Sequence, residues 1–246
     1  METDFTLKNV NKILGIKESF KAPDRLMEIL FDPKERLRVF QDFLELSTDM
    51  SFDWFHQYFQ EEQAERKTNK QDFTPMEVTQ LMNRLAALDK KDQHSYFETA
   101  AGTGGLLITR WYEDCLKETP LTYMPHEHEY FVEELSDRAI PFLLFNIAIR
   151  GMNAIVFHGD SLERTCRGVF YLQNDDDSPI GFSNINIMPR NQTVKREFNI
   201  HKWVGEPYPD HVEFDSQKWA ANVDRNMMLK RKWGEIFDRS SNATSK

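Results

Sequence analysis

Residues 97–106 read Phe-Glu-Thr-Ala-Ala-Gly-Thr-Gly-Gly-Leu, which is the pattern of a strand that ends in an acid, a glycine-rich turn and the start of a helix. Glycines allow the backbone of such a turn to come close to a ligand where any Cβ atom would clash. The turn lacks both the Gly-Lys-Ser/Thr of a Walker loop and the GxGxxG spacing of a dinucleotide site. It therefore predicts a cofactor-binding turn of another kind, and a purely structural turn is the alternative.

Two further acids close predicted strands downstream of this turn. Glu134 ends an apolar strand at 130–134, and Asp160 follows another at 154–158, with helical patterns between them. Helices that alternate with short apolar strands predict a parallel, doubly wound α/β sheet. Because the carboxyl ends of parallel strands meet at one edge, we expect Glu98, Glu134 and Asp160 to line one crevice.

The chain divides by composition and periodicity into three regions. Apolar residues recur at helical spacing through most of residues 1–66, and the polar stretch at 65–71 is typical of a linker. We expect an N-terminal helical region over 1–66, an α/β domain over 67–239 and a disordered tail over 240–246.

Composition excludes several classes of protein. The formal net charge of −9 disfavours autonomous binding to nucleic acid, which relies on cationic contacts to phosphate. Two cysteines without a CxxC motif exclude a disulfide scaffold and a thiolate zinc site, and they suit the cytoplasm. No apolar run approaches the roughly 20 residues of a membrane helix, so we expect no membrane association. A solvated loop is the preferred interpretation of His126-Glu-His128, with a metal site as the alternative, and we expect no metal.

The segment FETAAGTGGLLI, with QDFTPMEVTQLM before it and NIAIRGMNAIVFHGDSL after it, resembles the modification subunits of type I restriction systems. Those subunits are adenine-N6 DNA methyltransferases that use S-adenosylmethionine. The resemblance implies a Rossmann-like S-adenosylmethionine-dependent methyltransferase fold, over 67–239, with an N-terminal helical region. It also implies a set of cofactor-binding residues. In this sequence they are Thr74 and Pro75 near the methionine end, Glu98, Ala100, Gly102 and Gly104 at the turn, Glu134 on the ribose, and Asp160 on the adenine amino group.

The chain departs from this family where the methyl acceptor is held. The family places Asn/Asp-Pro-Pro-Tyr/Phe after its fourth strand, whereas residues 169–182 read VFYLQNDDDSPIGF and no Asn-Pro-Pro occurs anywhere. Asn174 is the candidate catalytic residue, since its amide oxygen follows a predicted strand. The sequence leaves two hypotheses open: an active DNA adenine methyltransferase, or a catalytically silent relative that acts as a regulator or decoy by binding a partner protein in a restriction-modification complex. In either case we expect DNA to be reached through a partner or specificity subunit.

Overall fold

The computed structural model describes residues 5–59, 61, 95–119 and 122–214. Thr74 and Pro75, the predicted linker at 65–71 and the predicted tail at 240–246 lie outside these residues.

Three helices begin the described chain: α1 (Leu7–Leu14), α2 (Ala22–Leu30) and α3 (Pro33–Leu46). Helix α3 begins where the sequence predicts, because Pro33 suits a first helical turn and the Asp32 carboxylate accepts from the next two backbone N–H groups. The helical pattern then fails over 47–55, which is irregular before a helical turn at 56–59. There the side chains of Ser47 and Asp49 accept from backbone N–H groups two residues on, which favours turns over a helix.

The first half of the sheet has the predicted parallel arrangement. Strands β1 (Ser95–Thr99), β2 (Glu129–Glu134) and β3 (Ala154–Asp160) lie side by side in chain order, and both neighbouring pairs are parallel. Helix α4 (Gly105–Lys117) connects β1 to β2, and helix α5 (Ile140–Ile149) connects β2 to β3. The carboxyl ends of these three strands therefore share one edge of the sheet, which we call the carboxyl edge.

The second half of the sheet is not parallel, so the parallel arrangement predicted for the first three strands does not extend beyond β3. Strand β4 (Thr165–Gln173) runs antiparallel to β3, and β5 (Asn184–Ile187) runs antiparallel to β4. Helix α6 (Gln192–Glu197) then leads to the short β6 (Lys202–Trp203), which is parallel to β4. A parallel crossover needs a dozen or more residues, whereas only residues 161–164 separate β3 from β4. The result is a mixed α/β sheet of six strands in the described chain.

The N-terminal helices and one face of the sheet share a single hydrophobic core. Helix α5 lies at its centre, and all ten of its residues are buried. Aromatic side chains from α3 and from 47–59 pack on this helix, with Phe43 and Phe55 each about 5 Å from Phe145 between ring centroids. A second cluster, which includes Phe157, Val169 and Phe198, covers the other face. Within the described residues, no helix is long and apolar enough to cross a membrane.

A buried ion pair fastens the segment after β6 to the N-terminal helices. The Arg36 guanidinium on α3 donates two hydrogen bonds, of 2.8 and 2.6 Å, to the two carboxylate oxygens of Glu213. Glu213 also accepts from the backbone N–H of Ile185 at the edge of the sheet, and His211 Nε2 lies 2.6 Å from its Oε1. Burial alone would raise the pKa of Glu213, but the hydrogen bonds from His211 and Arg36 outweigh it and lower this pKa to about 2.

We expect Glu213→Gln to destabilise the fold by about 3–5 kcal/mol at neutral pH, because it leaves the Arg36 cation buried without its partner. Since the folded pKa is lower than the ordinary value of 4.5, the carboxylate stabilises the fold above that value. This contribution is lost as the pH falls from about 4.5 towards 2. Urea unfolding between pH 2 and 7 measures both effects. Asp42→Asn, which breaks an exposed pair with Arg38, is the control and should cost less than about 1 kcal/mol. A Glu213→Gln variant as stable as that control would contradict the assignment.

Candidate functional site

The glycine turn leaves β1 and enters α4 through three residues in the left-handed region. They are Ala100, Gly102 and Gly104, with φ of 58°, 60° and 98°. The fold itself requires glycine at 104, since a Cβ atom there would also meet Leu143 Cδ1 at 3.0 Å. Gly105 is different, because its φ is ordinary and a Cβ atom would meet no atom of the described residues within 4 Å. Within the part of the chain that the structure describes, the backbone at Gly105 therefore borders open space.

The buried carboxylate of Glu134 ties the glycine turn to β2. One oxygen accepts from the backbone N–H of Gly102 at 2.6 Å, and the other accepts from that of Ser136 at 2.6 Å. A backbone hydrogen bond of 3.0 Å from Ala101 N–H to Glu133 O runs beside it. An ionised carboxylate has about four acceptor positions, so two N–H donors leave room for hydroxyl donors of a ligand.

Glu98 lies near the carboxyl end of β1, at the start of the turn. The Tyr96 hydroxyl donates to its Oε2 at 3.1 Å. Burial raises the pKa of Glu98 to about 7 and the nearby Glu134 charge adds to this, while hydrogen bonds from Tyr96 and the Leu107 backbone oppose it. A cationic ligand group beside these two carboxylates would favour the ionised form of Glu98.

Asp160 ends β3 on the same carboxyl edge. Its Oδ1 accepts from the backbone N–H groups of Leu162 and Glu163, both at 2.8 Å, and so caps the short turn into β4. The structure thus brings Glu98, Glu134 and Asp160 to one edge on three successive parallel strands. That the three acids line one ligand crevice stays a prediction.

A buried network beneath the glycine turn was not predicted from the sequence. The Thr103 hydroxyl donates to the Asp53 carboxylate, and Asn146 Nδ2 on α5 donates to Asp53 Oδ1 and to Thr103 O, both at 2.8 Å. Asp53 Oδ1 also accepts from the backbone N–H of Phe55 at 3.0 Å. The only sequence signal was an acid within the apolar run Ser51-Phe-Asp-Trp-Phe55, which we interpreted as a helix packed through its aromatic residues.

Arg150 balances the charge of this network. Its guanidinium donates to Asn146 Oδ1 at 2.9 Å and to the backbone carbonyls of Met50 and Phe52, and it lies 5.2 Å from the ring centroid of Trp54. Burial lowers the pKa of Arg150 to about 10, with Asp53 opposing the shift, so the side chain stays charged at neutral pH. Segment 47–55, the glycine turn and α5 are therefore joined by one set of buried polar contacts.

His158 is a further residue of the carboxyl edge that sequence analysis missed, and it pairs with Glu134 across β2 and β3. Its Nδ1 lies 2.8 Å from the Tyr208 hydroxyl, and its Nε2 lies 3.1 Å from Asp137 Oδ1. Burial lowers the pKa of His158 to about 4, although the Asp137 carboxylate opposes the shift. The imidazole is therefore neutral near pH 7.

Asn174 lies at the opposite edge of the sheet from the glycine turn. Because β4 is antiparallel to β3, its last residues pair with the first residues of β3, and Asn174 N–H donates to Asn153 Oδ1. The buried amide of Asn174 donates to Gly151 O and Ser178 O, and it accepts from Ser178 N–H. The six residue steps of β3 put about 20 Å between the two edges. This geometry does not bring Asn174 together with the cofactor-binding candidates, and it argues against a role in holding the acceptor.

The segment His126-Glu-His128, which the sequence offered as an alternative metal site, also lies at this opposite edge. His126 Nδ1 lies 2.5 Å from an oxygen of Asp177, and its backbone N–H donates to the other. No group of three or more metal-ligating side chains occurs among the residues that the structure describes.

Comparison with known proteins identifies the matched part of the chain. The family model described as N-6 DNA methylase matches residues 48–179. The match includes Asp53, the glycine turn, Glu134, Asp160 and strands β1 to β4. No curated protein and no solved structure matches the chain. Since the matched residues make up more than half of the 246, the chain belongs to the N-6 DNA methylase family.

Proposed function

We propose that the chain binds S-adenosylmethionine at the carboxyl edge of β1 to β3. The main support for the proposal is the hydrogen bond from the Gly102 N–H to Glu134, which holds the acid at the end of β2 against the glycine turn after β1. Members of this family use S-adenosylmethionine. We interpret β1 to β3 with α4 and α5 as half of a Rossmann-like methyltransferase fold, and α1 to α3 as the family's N-terminal helical region.

The residues at this edge fit the chemical groups of that cofactor. When bound, S-adenosylmethionine supplies an electrophilic methyl group on a sulfonium. Glu134 has acceptor positions left for ribose hydroxyls. Within the described chain, Asp160 accepts backbone N–H groups through Oδ1, which leaves Oδ2 for the adenine amino group. Glu98 and Glu134 together favour a cationic group near the glycine turn, and Gly105 leaves space beside it. Thr74 and Pro75 at the methionine end rest on the family resemblance alone.

The position of the candidate acceptor residue supports the proposal that the chain does not methylate DNA on its own. The short turn between β3 and β4 carries Asn174 to the far edge, where its amide stabilises the turn over 174–181. We therefore favour a family member that retains the donor site and has a degenerate acceptor motif, located in the cytoplasm. It would reach DNA through a partner or specificity subunit. The same observation favours a second candidate: a silent relative that acts as regulator or decoy within a restriction-modification complex.

Gly105→Ala tests the donor site without disturbing the fold. The ordinary φ and the open space accept a methyl group, so the thermal midpoint should stay within a few degrees of the wild type. If the cofactor passes this backbone, the added Cβ should weaken S-adenosylmethionine binding roughly 5- to 150-fold, equivalent to about 1–3 kcal/mol of steric conflict. Isothermal titration calorimetry measures the affinity. A wild-type protein that shows no binding at millimolar cofactor would overturn the proposed function.

A methyl-transfer assay distinguishes both candidate functions from an enzyme that methylates DNA on its own. We expect the isolated chain to transfer no tritiated methyl group from S-adenosylmethionine to unmethylated DNA above background. The reason is that no Asn-Pro-Pro occurs in the sequence, and Asn174, the residue that the sequence offered in its place, lies about 20 Å from the carboxyl edge. Gly105→Ala is the control, since activity that survives it at limiting cofactor comes from a contaminating enzyme. Turnover by the wild type alone that Gly105→Ala reduces would show that the chain holds the acceptor itself.

A further inference from the structure

A cavity of about 490 Å³ lies on the face of the sheet that α6 covers, opposite the face that packs on α5. It is separate from the glycine turn, because its strand residues point to the other side of β1 and β2. Its size falls within the range of small-molecule sites. The lining residues are Phe97, Phe131, Glu133, Arg164, Glu197, Phe198 and Asn199.

One wall of this cavity is aromatic. Phe97 and Phe131 are register partners on β1 and β2, and their ring centroids lie 5.3 Å apart. Phe198 extends the wall at 6.1 Å from Phe131. Phe97 is 56% exposed although it sits within a strand, so its ring remains open to a ligand. Aromatic rings presented in this way stack on planar ligands, and such stacking tolerates any base.

The polar end of the cavity contains a buried carboxylate with one unused oxygen. Glu133 is 1% exposed, and its Oε1 accepts from Arg164 Nη1 at 2.7 Å. Its Oε2 is also buried and has no hydrogen-bond partner among the residues that the structure describes, which is costly unless a ligand or water supplies a donor. Arg164 is already occupied, since it also donates to Phe198 O at 2.7 Å. The carboxylate that lines the cavity beside the aromatic wall therefore has one acceptor oxygen without a donor among the described residues.

We propose that this cavity binds a nucleobase that carries an exocyclic amino group. The ring would stack on the exposed Phe97, and Phe131, whose plane is tilted by 46° from that of Phe97, would contact its edge. The amino group would donate to Glu133 Oε2. Carboxylates accept from base amino groups in this manner. The site is independent of the proposed cofactor site, which lies on the other side of β2.

The charges of the lining residues favour a neutral base over an anionic or cationic ligand. The described lining contains two carboxylates, Glu133 and Glu197, and one guanidinium, Arg164, which already binds Glu133, and this set disfavours phosphate and other anions. An alkylammonium ion would meet the Arg164 guanidinium beside the same carboxylate, and like charges at this distance repel. A neutral amino group satisfies Oε2 without either penalty.

Cytidine and uridine form the test, because they differ at one ring substituent, amino against carbonyl. We expect the full chain to bind cytidine 5- to 150-fold more tightly than uridine in calorimetric titrations. In Glu133→Gln the amide oxygen should face Arg164 and the amide N–H should face the cavity, so the preference should disappear or reverse. Cytidine is not part of S-adenosylmethionine, and its affinity should be unchanged in Gly105→Ala.

Phe97→Ala tests the aromatic wall and leaves the buried ion pair between Glu133 and Arg164 in place. Loss of the exposed ring should weaken cytidine binding fivefold or more. Phe20→Ala, which removes another half-exposed ring far along the chain, is the matched control and should have no effect. The proposal is overturned by equal affinity for the two nucleosides, by no binding at millimolar cytidine, by binding that Phe97→Ala leaves unchanged, or by binding of putrescine in preference to cytidine.

Discussion

Two buried carboxylates hold the glycine turn, and the arrangement of the site depends on them. Glu134 accepts the Gly102 N–H from the side of β2, and Asp53 accepts the Thr103 hydroxyl from beneath. The turn needs this support, because Ala100 adopts a left-handed conformation that costs a side chain roughly 1–2 kcal/mol. Since Asp53 also accepts from Asn146, the turn is fixed to α5 and to the N-terminal segment at once. A turn held in this way is already shaped for a ligand, which reduces the entropy lost on binding.

The short turn after β3 has the largest consequence for function. Four residues reverse the chain, so β4 ends at the edge opposite the glycine turn. The proposed cofactor site at the carboxyl edge is thereby separated from the residues that follow β4 in sequence. The cavity over β1 and β2 lies on the remaining open part of the same sheet, where Phe97 stays exposed.

Local patterns in the sequence were sufficient for the first half of the sheet. Apolar runs that end in Glu134 and Asp160, together with the glycines after Glu98, correctly predicted parallel strands with acids at one edge. Strand direction beyond β3 could not be predicted from such patterns, because VFYLQ has the same apolar character in either orientation. The role of Asp53 depends on Thr103 and Asn146, which are 50 and 93 residues away, and no periodicity reports such contacts. The catalytic assignment of Asn174 relied on its position after a strand, and the antiparallel pairing removed that basis.

Hydrogen–deuterium exchange with and without S-adenosylhomocysteine shows whether the glycine turn held by Glu134 is the cofactor site. We expect slower exchange of the backbone amides over 100–105 and at Ser136 when this ligand is bound. We expect no change over 174–181, at the opposite edge of the sheet. Unchanged exchange at the glycine turn under saturating ligand, or protection confined to 174–181, would contradict the proposed cofactor site.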